Sequence, residues 1–272
     1  MQGVSWSTPV NITKSLPNIY AIGPGKGVQI PSGKYAGRLV FCGYGGPYPS
    51  LSKNVSENAV ICAVSDTHGK SWRQGSPLRA TAGFAYHENG RVYRLPTGQP
   101  LGQEPQPVVL KNGSILIEAR GGLGGSPIFG RSDNGGESWA TVWANSWEAS
   151  GFMIDDCQGN MLSLGEDRLL FSGPWFAGPS CQKSATHHCP PTRVNLTVSH
   201  SVNGGRDWNV LLSQGLENGG AGYSCMADLS GGTARNGAGS VGLLYVKDES
   251  GGPAWSNGSK GFGTDFVRIR LV

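Results

Sequence analysis

Four tryptophans mark time along the chain. Trp6, Trp72, Trp139 and Trp208 stand 66, 67 and 69 residues apart, and the last three each close a similar octet: SDTHGKSW (65–72), SDNGGESW (132–139) and SVNGGRDW (201–208). The sequence GVSW (3–6) has the form of the tail of a fourth. A turn-rich signature at a fixed period means one supersecondary unit repeated, because such a unit buries its apolar faces only by stacking on its neighbours. The opening residues of the first octet would lie upstream of Met1. The chain therefore reads as part of a larger repeat array.

The unit is built of strands. Before the octets run NAVICAVS (58–65), SPIFGRS (126–132) and RVNLTVSHS (193–201), rich in β-branched residues with partial alternation. Within the octets, Asn134-Gly135-Gly136 and Asn203-Gly204-Gly205 supply residues that tolerate positive φ. The Ser and Thr/Asn side chains can bond the turn backbone, and each Trp is expected to pack its hairpin onto the sheet of its own unit. Between the octets, VVLKNGSILIEA (108–119) reads as strand, Asn-Gly turn, strand, and MADLSGGTARNGAGSVGLLYV (226–246) as strand, Gly-rich loop, strand. PSGKYAGRLVFCGY (31–44) and GEDRLLFSG (165–173) end in strands, and no amphipathic helix is predicted. The 44 glycines among 272 residues, roughly twice the usual ~7%, fit such a turn-dense fold. About four strands per period is the content of a propeller blade. The prediction is an all-β fold: one β-propeller domain over residues 1–272, incomplete, with about four to four and a half blades.

Composition removes several functions. The net charge is +4 with no Lys/Arg run, which argues against a nucleic-acid partner. No apolar stretch approaches ~18 residues, so no membrane span is expected. The opening MQGVSWSTPVNIT has no charged-then-apolar leader. Sequons at Asn11, Asn54, Asn112, Asn195 and Asn257 favour an extracellular, secretory or lysosomal setting.

The six cysteines show no CxxC spacing, and neither metal nor cofactor is expected. Cys42 and Cys62 fall on successive strands and could bridge, as could Cys181 and Cys189. His187-His188-Cys189 with Cys181 could instead hold a metal, but a disulfide loop is the stronger reading. Gly23-Pro24-Gly25-Lys26-Gly27 hints at a phosphate loop, yet it lacks the Lys-Ser/Thr pair and a following helix. Asp155 and Asp156 are adjacent, so in a strand they point to opposite faces and make no acid pair.

The octets are close to the Asp-box pattern S-x-D-x-G-x-S/T-W of sialidases, with Thr67, Asn134 and Asn203 replacing the aspartate. The segments between them are more specific. GPGKGVQIPSGKYAGRLVFCGY (23–44), QEPQPVVLKNGSILIEAR (103–120), DDCQGNMLSL (155–164), RVNLTVSHSVNGGRDW (193–208), GGAGYSCMADL (219–229) and VGLLYV (241–246) follow the sialidase order over nearly the whole chain. The chain resembles an exo-α-sialidase, a six-bladed propeller, without its first blade and part of its second.

The resemblance implies a retaining glycosidase acting on sialylated glycans, whether glycoproteins, gangliosides or oligosaccharides. It casts Tyr223 as nucleophile and Glu104 as its base, Arg120 and Arg193 as two of three arginines on the substrate carboxylate, and Gln158 as a contact to substrate hydroxyls. A phenol suits a substrate whose anomeric carbon bears a carboxylate, since a carboxylate nucleophile would be repelled there. Tyrosine, with a pKa near ~10, then needs a base within hydrogen-bond reach. Planar guanidinium forks suit a carboxylate. The family's F/Y-R-I-P arginine and the acid/base aspartate that follows it have no counterpart here. Tyr93-Arg94-Leu95-Pro96 imitates that motif but lies just upstream of Glu104, in the wrong blade. The alternative implied is an inactive sialic-acid-binding or scaffold propeller.

Overall fold

The computed structural model describes residues 6–46, 58–88, 91–123, 126–144, 157–174, 193–231, 239–248 and 262–271. Apart from one short 3-10 turn at Thr13–Ser15, its regular elements are antiparallel strands. The first sheet holds β1 (Ala21–Ile22), β2 (Val28–Gln29), β3 (Leu39–Gly45), β4 (Ala59–Ser65) and β5 (Arg73–Gln74). A hairpin of β6 (Ala85–Glu88) and β7 (Arg91–Arg94) follows. The second sheet runs β8 (Gln103–Val109), β9 (Ile115–Leu123), β10 (Ser126–Ser132) and β11 (Thr141–Ala144). The third runs β12 (Asn160–Gly165), β13 (Arg168–Pro174), β14 (Val194–Ser201), β15 (Asn209–Asp228), β16 (Gly239–Asp248) and β17 (Phe262–Leu271).

β15 belongs to two ladders. Its first residues pair with β14 and its last with β16, so the six-stranded sheet is a four-stranded meander continued into β15–β16–β17. All three octets occupy equivalent places: between β4 and β5, between β10 and β11, and between β14 and β15. This shared topology is the structural counterpart of the tryptophan period.

The sheets stack face to face, and period-2 alternation decides which core each residue enters. On β9, Ile115, Ile117 and Ala119 join a core with Val40, Val60, Cys62 and Val64 of the first sheet. Leu116 of the same strand turns to the opposite core, with Met161, Leu169, Phe171 and Trp208. A third core joins Leu162, Leu170 and Val198 to Met226, Leu243 and Ile269. Each fully buried aliphatic chain stabilises the stack by about 1.5–3 kcal/mol. The β16–β17 ladder carries apolar side chains on its other face as well, where Leu244, Phe262 and Phe266 are exposed.

The octet turns form as expected, and Thr and Asn serve where the pattern has Asp. Ser132 Oγ accepts from Gly136 N at 2.9 Å and Asn134 Oδ1 from Ser138 N at 2.9 Å. Ser201 and Asn203 do the same for Gly205 and Asp207, and Ser65 and Thr67 for Gly69 and Ser71.

The tryptophans depart from expectation. Trp72 does pack on its own sheet, edge-on to Phe41. Trp139, however, donates to Ser76 O, in the segment after β5, and Trp208 lies between Phe129 of the second sheet and Phe171 of the third. The octet hairpin sits at the seam between sheets, so a large ring there reaches both. Trp6 is exposed.

Cys42 and Cys62 face each other across β3 and β4 and are disulfide-bonded. Cys181, Cys189, His187, His188, Asp155 and Asp156, and the sequons at Asn54 and Asn257, lie outside the described residues. Among the described residues, no helix is long and apolar enough to cross a membrane.

Candidate active site

Three of the expected site residues come together at irregularities of the ladders. Pairing of β8 with β9 slips between Gln103 and Gln106, which leaves Glu104 in a bulge with φ of +48°. Pairing of β15 with β16 slips between Ala221 and Ser224, around Tyr223. Arg193 stands just before β14 with φ of +41°. A bulge re-aims a side chain that a regular pleat would hold elsewhere. A non-glycine residue in the left-handed region costs about 1–2 kcal/mol and persists only where surrounding structure imposes it.

The re-aimed side chains meet. Tyr223 Oη donates a hydrogen bond to Glu104 Oε1, joining residues 119 apart in sequence. Arg120 Nη1 lies 3.3 Å from Glu104 Oε2. Arg120 pairs in register with Gln103, so the β8–β9 ladder itself carries this contact. Burial, then the hydrogen bond to Glu104 and that carboxylate's charge, push the Tyr223 hydroxyl well above the usual tyrosine value. The phenol is therefore neutral until a base takes its proton.

Arg193 is nearly buried, and its backbone carbonyl accepts from Ala221 N at 2.6 Å, two residues before Tyr223. The charges of Arg193, Arg120 and Glu104 all act on the buried thiol of Cys157, which burial pushes up to about 11. Cys157 also acts on Tyr223. Cys157 therefore lies within reach of the Arg193, Arg120 and Glu104 charges and stays a neutral thiol.

Gln158 does not sit as expected. It is fully buried, and its amide is committed to the backbone of Ser224: Oε1 accepts from Ser224 N at 3.2 Å, while Nε2 donates to Ser224 O at 3.3 Å and to Gly159 O at 2.6 Å. It holds the strand that presents Tyr223. Ser172 Oγ and Ser224 Oγ reinforce the same point at 2.8 Å.

A second buried chain of hydrogen bonds runs beside it. Asn160 Nδ2 donates to Gln106 Oε1, Met226 N donates to Asn160 Oδ1, and Gln106 Nε2 donates to Pro24 O, each at 2.8 Å. This explains the Gly-rich loop at 23–27. A Cβ on Gly25 would fall 1.6 Å from Gln106 Nε2, and one on Gly23 would fall 2.8 Å from Pro105 Cδ. The two glycines admit the loop onto the Glu104–Gln106 backbone; no phosphate cradle is needed to account for them.

Glu118 is the residue that sequence reasoning missed most clearly. Two positions before Arg120 on β9, it is fully buried, and among the described residues neither carboxyl oxygen has a hydrogen-bond partner. Burial first, and the Glu104 charge second, push its carboxyl well above the usual range. Its signal was visible as a lone acid in the apolar run SILIEA, which otherwise reads as core. Arg94 of Tyr93-Arg94-Leu95-Pro96 lies on the β6–β7 hairpin, which packs beside β10 and β11 rather than at Glu104. Among the described residues, no group of three or more His, Cys, Asp or Glu could hold a metal.

Stacked antiparallel meanders, each with an octet at its seam, define a class: a repeat-built all-β fold like that of the propeller glycosidases. The BNR repeat-like domain model matches residues 2–236, and the chain belongs to that family. Among solved structures it is similar to the intramolecular trans-sialidase from Ruminococcus gnavus, at 23% identity and a TM-score of 0.60, over 99% of this chain and 48% of that one. It is similar to the Hadza microbial sialidase Hz136 at 20% identity and a TM-score of 0.60, over 99% of this chain and 42% of that one. The NanB sialidase from Streptococcus pneumoniae follows at 19% and 0.54, over 92% of this chain and 30% of that one. The chain thus spans between 30% and 48% of the length of these structures, and at such identities the likeness is one of fold.

Proposed function

We propose that the chain carries the centre of a sialidase-like glycoside hydrolase that releases terminal sialic acid from glycans with retention. Tyr223 is the nucleophile, Glu104 its base, and Arg120 and Arg193 hold the substrate carboxylate. The observation that carries this reading is the hydrogen bond from Tyr223 to Glu104, formed across the fold beside the Arg120 guanidinium.

The chemistry follows from those groups. The neutral phenol approaches an anomeric carbon that bears a carboxylate without the repulsion an anionic nucleophile would meet. As the Tyr223 oxygen bonds that carbon and the glycosidic bond breaks, Glu104 takes the phenolic proton. The leaving oxygen departs with the bonding pair and takes a proton from solvent. Water, or another hydroxyl, then displaces the tyrosine oxygen and gives its own proton to solvent, while the tyrosine oxygen regains its proton from Glu104. Two displacements at one carbon give net retention. Gln158 supports the reaction by fixing the Ser224 backbone beside the nucleophile.

The same reading takes the chain as one propeller domain in a larger ring. The exposed apolar side chains Leu244 and Phe266 on one face of β16–β17 support this, since every sheet inside a ring packs on both sides. A disulfide and sequons favour an extracellular or luminal setting. One observation favours a second reading, sialic-acid binding without turnover: burial and Glu104 hold the Tyr223 hydroxyl well above the usual tyrosine value, which keeps it a neutral and weak nucleophile.

A fluorogenic sialoside tests the first reading. Tyr223→Phe and Glu104→Gln should each lower turnover by about 10²–10⁴. Turnover unchanged in Tyr223→Phe would remove the tyrosine from the chemistry. Calorimetric binding of sialic acid without turnover, lost in Arg193→Ala, would select the second reading.

A further inference from the structure

Glu104 stands at the head of β8 and Lys111 just past its foot, about 20 Å away at ~3.3 Å per residue. At that far end lies a second polar cavity, of about 150 Å³, whose walls include Lys111, Arg131, Trp143, Asp167, Asn203 and Arg206. It opens between the turns that close β8–β9 and β12–β13 and the third octet.

The walls are tied together. The β12–β13 turn holds Glu166 and Asp167 at φ of +54° and +60°, a left-handed pair without glycine. Lys111 pairs with Glu166, its backbone N donates to Asp167 Oδ1 at 2.8 Å, and Gly204 N donates to Asp167 O at 3.0 Å. One strained turn is thus anchored to both neighbouring turns, and the cavity between them keeps a fixed shape.

Its charges are unequally committed. Lys111 pairs with Glu166 and Arg131 with Asp133, but among the described residues Arg206 meets no carboxylate. The Arg206 guanidinium lies over the Trp143 ring, with Cζ 4.6 Å from its centroid, and Trp143 is stacked in turn on Phe129 at 5.4 Å. A planar fork fixed by stacking keeps its N–H edge available to a planar oxyanion. With Lys111 and Arg131 balanced by Glu166 and Asp133, the wall keeps one uncommitted guanidinium, Arg206, for a single carboxylate. Asp167 disfavours a dianion and can accept hydroxyl protons.

We propose that this cavity binds the carboxylate of a small hydroxylated acid of the uronic-acid class, at a site separate from the Tyr223 centre. The chain, produced without glycosylation so that Asn112 bears no sugar, is titrated calorimetrically with D-glucuronate and with D-glucose. In parallel, Trp143 fluorescence is followed against Trp143→Phe. Glucuronate should bind with a Kd of about 1 mM and perturb Trp143, and glucose should not. Arg206→Ala and Arg206→Lys should each weaken binding about tenfold or more, the lysine variant because it keeps the charge but loses the fork. Thermal melts establish that both variants are folded. The proposal is overturned by absence of saturable binding, by an equal response to glucose, by undiminished affinity in folded Arg206→Lys, or by loss of the response in Arg193→Ala, which would move the ligand to the Tyr223 centre.

Discussion

The octet hairpins and the Tyr223 cluster are both dense in side-chain hydrogen bonds, but they are built on different scales. In the octets the turn bonds join residues two or four apart, as from Gly136 N to Ser132 Oγ and from Asp207 N to Asn203 Oδ1. In the cluster they join residues 54, 66 and 119 apart. The octets place left-handed backbone mostly on glycine, with His68 as the exception. The cluster places it on Glu104 and Arg193, which have Cβ atoms and pay for that conformation in strain. A turn that satisfies itself locally is stable wherever it is put. The cluster exists only because stacked sheets impose it, which is how strain comes to reside at sites that do chemistry.

Substitutions can break or sharpen this contrast. The largest expected effect lies in an octet. Trp208→Ala removes a ring held between two sheets, and urea titration should show a loss of about 3–5 kcal/mol. A smaller loss would mean that the octets decorate the seams rather than hold them.

The next belongs to the cluster and depends on pH. The folded Glu118 carboxyl titrates above its unfolded value, so the native state holds the proton longer. Its stabilising share is complete below the unfolded pKa of about 4.3 and is lost as the pH rises from there through the folded value. Glu118→Gln has no such loss. Its stability relative to the parent should therefore climb with pH in unfolding titrations run upward from about pH 4. A difference that stays flat with pH would show that the buried acid is already ionised or compensated.

Smaller effects return to the octets. Asn203→Ala leaves the Asp207 backbone N without its acceptor and should cost about 1 kcal/mol at the denaturation midpoint. His68→Gly relieves a left-handed residue at φ of +53° and should raise stability by up to ~1 kcal/mol without touching the cluster. A loss instead would show that the His68 side chain stabilises its turn by more than the strain it carries.

Much of the fold was legible because its rules are local. The tryptophan period, the strand before each octet and the Asn-Gly turn at 112–113 each depend on residues close in sequence, and the strands fall where the patterns place them. The β6–β7 hairpin was not foreseen, since AYHE and RVYR carry no clear alternation. The side of the seam that each Trp would take was also hidden, because it depends on the neighbouring sheet.

The sequence by itself determined a repeating β array and, through family-like segments, named Tyr223, Glu104, Arg120 and Arg193 as residues to watch. Tertiary structure alone decided that Gln158 clamps the Ser224 backbone, that Gly23 and Gly25 yield space to the Glu104 strand, and that Glu118 lies fully buried beside the Glu104 charge. Turn chemistry acts over a few bonds, whereas burial and the field of a distant charge exist only once the sheets have closed on one another.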